Sequence, residues 1–403
     1  MARIDRLPED MKEVLQIASV LGRVFSHPLL AHVAQRGAEL EQLLRHLEEQ
    51  EFIYPTSLAL QREYSFKHVL TQEAVYGTLL RPQREVYHEW IGEAVEALYL
   101  ERLEEYYDVL AYHYVRSGNK DKAVEYLDLA NQKAARANAM AEAKGYFDAA
   151  MRLLDTLPET KRNQRRRIAL LVNQGSSMAM LLNFQEYEDL LVRYRGMAVG
   201  LDNPWYVGAF YACLGWCAYW FGRADEAIET LTKAATLCEA AGNMEAAGQA
   251  YMLLQCTYFY KGDYAQALAL QERALRTIEQ RFHLRYYMWA LTVASWAYAC
   301  LGRWDDAVAE GHKALRLGEE YADSSVISFA AMILAFVYTA KNDLGQALEH
   351  AELAVQKAPD ASGQSVVSEY PCLGLVPDGG ATQRCGGPGP AGLDASCRRP
   401  PVA

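Results

Sequence analysis

Four short turn motifs recur at one fixed spacing in the second half of the chain, and this period constrains the fold more than any other feature. The motifs begin at Gly222, Gly262, Gly302 and Asn342, so neighbouring copies start 40 residues apart. Each motif carries alanine at its sixth position. A period of this size is typical of proteins built from stacked copies of one supersecondary unit. Because a single copy cannot bury its apolar face, neighbouring copies must pack against each other.

The period extends to positions on both sides of the turn. Two columns of equivalent positions before the turn are mostly aromatic, and two columns after it are alanine throughout. The alanine columns lie seven residues apart, which is the spacing of one helix face. Each copy is therefore predicted to be an antiparallel helix pair joined by a tight turn, with alanines where the helices approach closely. The four columns are Trp216, Cys256, Trp296 and Phe336; Ala218, Tyr258, Tyr298 and Tyr338; Ala227, Ala267, Ala307 and Ala347; and Ala234, Ala274, Ala314 and Ala354.

These columns resemble the tetratricopeptide repeat, whose usual length is about 34 residues. The resemblance implies an all-α, right-handed solenoid of helix pairs, which we expect to occupy residues 101–358. Between residues 163 and 200 the register continues, but Tyr187 replaces an alanine, and we expect looser packing there. The positions that match the order of the repeat in the first complete copy are Tyr211, Leu214, Gly215, Gly222, Ala227 and Ala234.

Residues 1–100 lack this repeat and predict a different, small domain. Three helical segments, over residues 8–21, 26–35 and 38–50, are followed by strand patterns at 52–55 and 63–66. Three helices and a hairpin describe a winged-helix-like domain, which suggests DNA binding. The third helix, however, carries four glutamates against one arginine and one histidine, and phosphates would repel that surface. We therefore favour a packing role for this domain.

The most distinctive stretch outside the repeat is Phe66–Tyr76, followed by Arg81–His88. Together with Arg3–Pro8 and Val20–Phe25, it resembles the signal-transduction ATPases of the apoptotic-ATPase type. In that family a P-loop ATPase precedes a winged helix and a tetratricopeptide-like array follows, and some members carry class III adenylate or guanylate cyclase domains. The phosphate-binding motif G-x-x-x-x-G-K-[ST] occurs nowhere here. The resemblance therefore implies the C-terminal, non-enzymatic part of such a protein, without the ATPase and cyclase domains.

Composition argues against several other kinds of site. The net charge of −11 disfavours broad binding to nucleic acid or anionic membranes. No apolar run reaches the roughly 18 residues of a membrane span, and the N-terminus lacks a signal-peptide core, so we expect a cytoplasmic protein. Cys213 and Cys217 share a helix face, but no further Cys or His nearby completes a zinc set. Buried, reduced thiols are expected at the five cysteines that fall on apolar helix positions of the repeat, and no catalytic, cofactor-binding or metal-binding residue is predicted. These cysteines are Cys213, Cys217, Cys238, Cys256 and Cys300.

The array predicts an interaction surface. First helices line the concave face in related arrays, and a protein or peptide partner is expected there. The main hypothesis is a regulatory and protein–protein interaction module of a signalling ATPase, and the alternative is a DNA-binding transcription regulator that uses the winged helix. The candidate contact residues, all on predicted first helices, are Tyr211, Trp220, Tyr258, Trp289, Trp296 and Tyr298.

The end of the chain changes character after Lys357. Residues 359–403 contain seven of the 13 prolines, eight of the 27 glycines and no lysine, which predicts disorder. Because the shift falls where another copy would be due, we hypothesise a frameshifted or readthrough end. The last helical segment, Leu344–Lys357, keeps the apolar face of an internal helix. We therefore expect self-association through this C-terminal pair.

Overall fold

The computed structural model describes residues 4, 6–56, 62–137, 139–175, 178, 181, 183–279 and 284–358. The chain divides into two compact units, Met1–Glu159 and Thr160–Ala403. Helices that the sequence assigns to the start of the array therefore belong to the first unit. The domain boundaries predicted at residues 100 and 358 stay predictions, and the predicted tail at 359–403 lies outside the described residues.

The first unit combines helices with one small antiparallel sheet of order β1-β3-β2. In this sheet Phe25 lies opposite Tyr64, and Ile53 lies opposite Phe66. The sequence predicts the second and third strands but not β1, which is three residues long. The elements are α1 (Glu9–Leu21), β1 (Val24–Ser26), α2 (His27–Ala34), α3 (Glu39–Glu49), β2 (Ile53–Thr56), β3 (Glu63–Phe66), α4 (Val69–Thr78), α5 (Arg81–Leu98), a 3₁₀ helix (Leu100–Tyr106), α6 (Tyr107–Arg116), α7 (Lys120–Arg136) and α8 (Met140–Asp155).

The core of this unit lies where the sheet meets α1 and α3. Tyr64 and Phe66 are fully buried on β3, and the Phe25 ring stacks on Tyr64 with 5.9 Å between centroids. Further along the chain, α5 and α6 approach closely at Gly92, where a Cβ would lie 2.7 Å from the Tyr114 ring. Glycine at this position therefore allows the two helices to pack around a buried tyrosine.

The second unit consists of helices in the described residues, which confirms the predicted all-α, tetratricopeptide-like architecture. The elements are α9 (Lys161–Asn173), α10 (Phe184–Gly200), α11 (Pro204–Trp220), α12 (Ala224–Ala241), α13 (Met244–Tyr260), α14 (Tyr264–Glu279), α15 (Leu284–Cys300), α16 (Trp304–Glu320), α17 (Ser324–Ala340) and α18 (Leu344–Lys357). The helices from α11 onward form four pairs, each with a first and a second helix of similar length. The first helices are α11, α13, α15 and α17, and the second helices are α12, α14, α16 and α18.

The turn inside each pair has one repeated geometry. Gly222, Gly262, Gly302 and Asn342 have φ angles of 70°, 82°, 74° and 61°, in the left-handed region that glycine and asparagine tolerate best. The residue after each donates its N–H to the carbonyl five residues earlier; for Asp263 the acceptor is Tyr258, at 2.9 Å. This 6→1 bond closes a Schellman-type helix end. The period of the sequence is therefore the period of a helix-terminating turn.

Two further features connect the helices. The alanine columns are almost completely buried; Ala227, Ala267 and Ala307, for example, have no exposed surface. Ion pairs join neighbouring pairs of helices. Lys261 pairs with Asp225 at 2.6 Å, and Lys341 pairs with Asp305 at 2.7 Å at the equivalent positions further along the array. These surface ion pairs add specificity more than stability.

Candidate protein-binding surface on the first helices

The first helices form a contiguous layer. Each of α11, α13 and α15 contacts the first helix of the next pair. The corresponding second helices make few such contacts within the described part of the chain. Successive pairs therefore approach one another most closely along the first helices.

Aromatic side chains run across this layer, and we call the six that are in ring contact the aromatic row. The Tyr219 ring lies 5.8 Å from Tyr260, which contacts Phe259 at 5.5 Å. Phe259 then contacts Trp296 at 4.9 Å. The row ends with Trp296–Phe329 at 6.3 Å and Phe329–Trp289 at 4.6 Å. The aromatic row comprises Tyr219, Phe259, Tyr260, Trp289, Trp296 and Phe329.

Three of the predicted contact residues lie at or beside this row. Trp289 and Trp296 belong to it and are half-buried. Trp220 follows Tyr219 on α11, is 36% exposed and stacks on Phe184 with 4.2 Å between centroids. These side chains keep apolar surface that a partner can cover.

The other three predicted residues lie off the aromatic row. Tyr211 is buried, and Lys233 of α12 lies 4.0 Å from its ring centroid and donates to its hydroxyl at 2.9 Å. The bond from Lys233 lowers the Tyr211 pKa. Tyr298 packs beneath the Arg303 guanidinium at 4.5 Å, and half-buried Tyr258 lies in the apolar core between pairs. The aromatic row thus contains only part of the predicted set.

Sequence reasoning missed Tyr260, which is 46% exposed, as well as Tyr219 and the two phenylalanines of the row. A signal for Tyr260 exists in the sequence. Tyr260 lies 40 residues after Trp220 and 40 before Cys300. It therefore occupies the same position in the repeat as Trp220, which is one of the predicted contact residues. Following that column through every copy would have found it.

The thiols buried in this unit are held in the protonated form. Burial raises the pKa of the Cys213 thiol to about 11 and that of Cys256 to about 12, which keeps both protonated at neutral pH. Cys300, expected to be buried, is exposed. Within the described ranges, no group of three or more His, Cys, Asp or Glu side chains could hold a metal ion. None of the helices in those ranges is both long and apolar enough to cross a membrane.

Comparison with solved structures identifies the same architecture in other proteins. A signal transduction ATPase with numerous domains (STAND) protein with a tetratricopeptide repeat sensor, from Pyrococcus horikoshii, superposes with a TM-score of 0.53 at 14% identity and 89% coverage of this chain. This chain covers 58% of that protein. Aspartyl phosphate phosphatase F from Bacillus subtilis gives 0.53 at 12% identity, with 90% and 88% of the two chains covered. A Rap protein complexed with competence and sporulation factor gives 0.50 at 13% identity, with 86% and 98% covered.

These similarities show a shared fold. They do not show a shared function, because the sequence identities are only 12–14%. No family model matches the sequence. No curated protein matches it either.

Proposed function

We propose that this chain is a non-catalytic regulatory and protein–protein interaction module of a signalling-ATPase type of protein, and that its repeat array binds a protein or peptide along the aromatic row. The observation that carries the proposal is the unbroken series of ring contacts across four successive first helices, from Tyr219 to Phe329. A surface of this kind is typical of binding sites, because Trp and Tyr supply large contact areas at low entropic cost.

The packing of the first helices supports a concave position for this surface. In a curved stack, the helices on the inner side approach each other more closely than those on the outer side. The first helices contact their equivalents in the next pair, whereas the second helices make few such contacts within the described ranges. An extended peptide crossing the layer would meet exposed or half-buried aromatic side chains on α11, α13 and α15, where Tyr219, Tyr260 and Trp296 lie, whereas Phe329 on α17 is buried beneath them.

The neighbouring folds favour a regulatory context. The STAND protein is a signal transduction ATPase with a tetratricopeptide repeat sensor, and the Rap protein was observed in complex with competence and sporulation factor. We infer a similar role for this array as the part of a signalling protein that recognises a protein or peptide. The ATPase and cyclase context is carried by the sequence motifs, and a cytoplasmic location stays a prediction from sequence.

We further propose that the α1-β1-α2-α3-β2-β3 segment is a winged-helix domain with a packing role. The helix order and the antiparallel sheet support that assignment. On α3, Glu41 accepts hydrogen bonds from Arg62 at 2.8 Å and 2.9 Å, which lower the pKa of its carboxyl group. The Nε2 atom of His27 also lies within hydrogen-bonding distance of this carboxylate, 2.8 Å from Oε1. A carboxylate fixed on this helix disfavours the alternative function, DNA binding through α3.

Selection of peptides on the immobilised full chain tests the main proposal. Peptides enriched from a random displayed library are expected to bind the purified chain, and Trp296→Ala or Trp220→Ala should weaken binding by roughly tenfold or more, the loss expected of a buried aromatic contact. The matched control is Trp90→Ala, which removes an exposed tryptophan from α5, outside the aromatic row.

Four outcomes decide the matter. Peptides that bind the two tryptophan variants and wild type equally would overturn the site, and an absence of enriched peptides would overturn the peptide-binding function. Salt-sensitive binding of mixed-sequence DNA by the full chain would support the alternative instead. Turnover of ATP above background would contradict the non-catalytic assignment.

The C-terminal pair supports a second contact, self-association. Leu348 is 62% exposed and Val355 is 78% exposed on α18. On internal second helices the corresponding face packs partly against the next pair. We therefore propose that this face associates with a second copy of the chain.

A further inference from the structure

A cavity in the first unit is lined by more cationic than anionic side chains. Its volume is about 490 Å³, and it lies between α4, α5, the α6–α7 connection and α8. Four cationic side chains line it: Arg81, Arg84, Arg116 and Lys120. The one carboxylate among the lining residues is Glu85, which pairs with Arg81 at 2.9 Å. This arrangement is unexpected in a chain whose net charge is −11.

The two central arginines have no carboxylate partner among the described residues. Arg84 places its guanidinium 4.4 Å from the Tyr76 ring centroid, and its buried Nε has no hydrogen-bond partner within the described part of the chain. Arg116 lies 3.8 Å from the Tyr112 ring and donates to the Tyr112 carbonyl at 3.1 Å. Arg84 also donates from Nη2 to the Gly77 carbonyl at 3.4 Å. Each guanidinium therefore packs against a ring and gives one N–H to a backbone carbonyl, which leaves several of its five N–H donors for an anion.

The start of α7 adds to the positive potential. Gly118 and Lys120 line the cavity on either side of Asn119, the residue that caps this 17-residue helix. The N-terminus of a helix carries partial positive charge and favours phosphate or carboxylate groups. Lys120 donates to the Thr156 hydroxyl at 3.2 Å rather than to an acid.

Buried histidines behind the cavity respond to the same field. The Nε2 of His88 lies 3.2 Å from the Tyr76 hydroxyl, and its Nδ1 lies 2.9 Å from Nδ1 of His113. Burial, together with the charges of Arg116 and Arg84, lowers the pKa of His88 to about 4. An anion bound at the two arginines would oppose this effect and raise the pKa of His88.

We propose that this cavity binds a small phosphate-bearing molecule, with Arg84 and Arg116 as the principal ligands and Lys120 and the N-terminus of α7 as additional ones. Guanidinium groups match the geometry of phosphate oxygens, and two of them can hold different faces of a phosphate or pyrophosphate group. The volume exceeds what one phosphate fills, so the cavity accommodates a larger molecule that carries the group. This site lies on helices outside the aromatic row and is independent of the function proposed for the array.

Calorimetric titration of the full chain with inorganic pyrophosphate tests this site. Saturable binding is expected, and Arg84→Gln and Arg116→Gln should each weaken it by about tenfold or more, as for loss of a charge-assisted hydrogen bond. The matched control is Arg45→Gln. Arg45 is exposed and, like Arg116, donates to the carbonyl four residues earlier on its own helix, but it is not part of the cavity. The affinity of the Arg45→Gln variant for pyrophosphate should stay within about twofold of the wild-type affinity.

Further measurements separate a binding role from a structural one. If Arg84→Gln fails to fold, Arg116→Gln and Lys120→Gln carry the test. In proton NMR, pyrophosphate should raise the pKa of His88 in wild type but not in Arg116→Gln. The proposal is overturned by an absence of saturable binding at about 1 mM pyrophosphate, by equal weakening in Arg45→Gln, or by equal affinity for citrate, which would indicate a general anion site.

Discussion

Gly215 offers a direct test of how the helix pairs pack. It lies on α11 against α12, and a Cβ built on it would be 2.5 Å from both Cγ and Cδ2 of Leu231. Leu231 is fully buried, so it has no open space into which to turn. Gly215→Ala must therefore separate the two helices or force Leu231 from its rotamer, which costs roughly 1–3 kcal/mol.

Gly196 supplies the matched control. It also lies inside a helix of the second unit, α10, but it is exposed, and a Cβ built on it meets no atom within 4 Å. Alanine is preferred over glycine in a helix interior by about 1 kcal/mol at both positions. The contribution of helix propensity to stability is therefore the same in both variants, and the difference between their stabilities reports the steric cost at Gly215.

Thermal unfolding of the full chain measures this difference. For a unit of this size, about 1 kcal/mol corresponds to about 2–4 °C. Gly215→Ala should therefore melt roughly 2–12 °C below Gly196→Ala. If Gly215→Ala melts at the same temperature as Gly196→Ala or above it, the close approach of α11 and α12 is not what stabilises the pair, and the reasoning from the glycine is refuted.

Three other predictions follow from burial and exposure. Ala267→Trp should lower the melting temperature strongly, because Ala267 is fully buried, whereas Gln266→Trp on the exposed side should change it little; equal melts would show that the alanine column is misassigned. Leu348→Glu should reduce concentration-dependent light scattering, and a wild-type monomer at every dilution would rule out self-association through α18. Stability of the first unit should fall as the pH drops from about 6.5 towards 4, because burial lowers the pKa of His88 to about 4 and that of His113 to about 3, and the unfolded chain then binds protons that the folded unit does not. Urea midpoints at about pH 7 and pH 5 check this sign, and His113→Gln should reduce the change.

The architecture of the array could be predicted from sequence because its turns are local. A left-handed residue and a bond to the carbonyl five residues earlier end each first helix, and both depend on a few neighbouring residues. Tyr187 shows where such reasoning stops. It replaces an alanine and predicts looser packing, yet it is fully buried and donates to the Leu171 carbonyl at 2.7 Å. Space for it comes from Gly175, whose Cβ would lie 3.2 Å from the Tyr187 hydroxyl.

The phosphate cavity could not be predicted from the pattern of the chain, because its charges come from separate segments. Arg81 and Arg84 lie three residues apart on α5, but Arg116 belongs to α6 and Lys120 begins α7. The most basic run, residues 161–167, lies in the other unit. Charge clusters of this kind depend on tertiary packing, whereas sequence inspection detects only charges that are adjacent or share a helix face.

Helix geometry alone separates the two groups of candidate residues on the first helices. A residue two positions along an α-helix is rotated by about 200°, so Trp296 and Tyr298 cannot face the same way. Trp289 and Trp296 are seven positions apart and return to nearly the same face, as the aromatic row shows. Tyr298 lies off the row, and its ring packs against Arg303 in the turn that precedes the second helix. A fixed period therefore identifies equivalent positions in successive copies, but the rotation within one copy decides which of those columns a partner can reach.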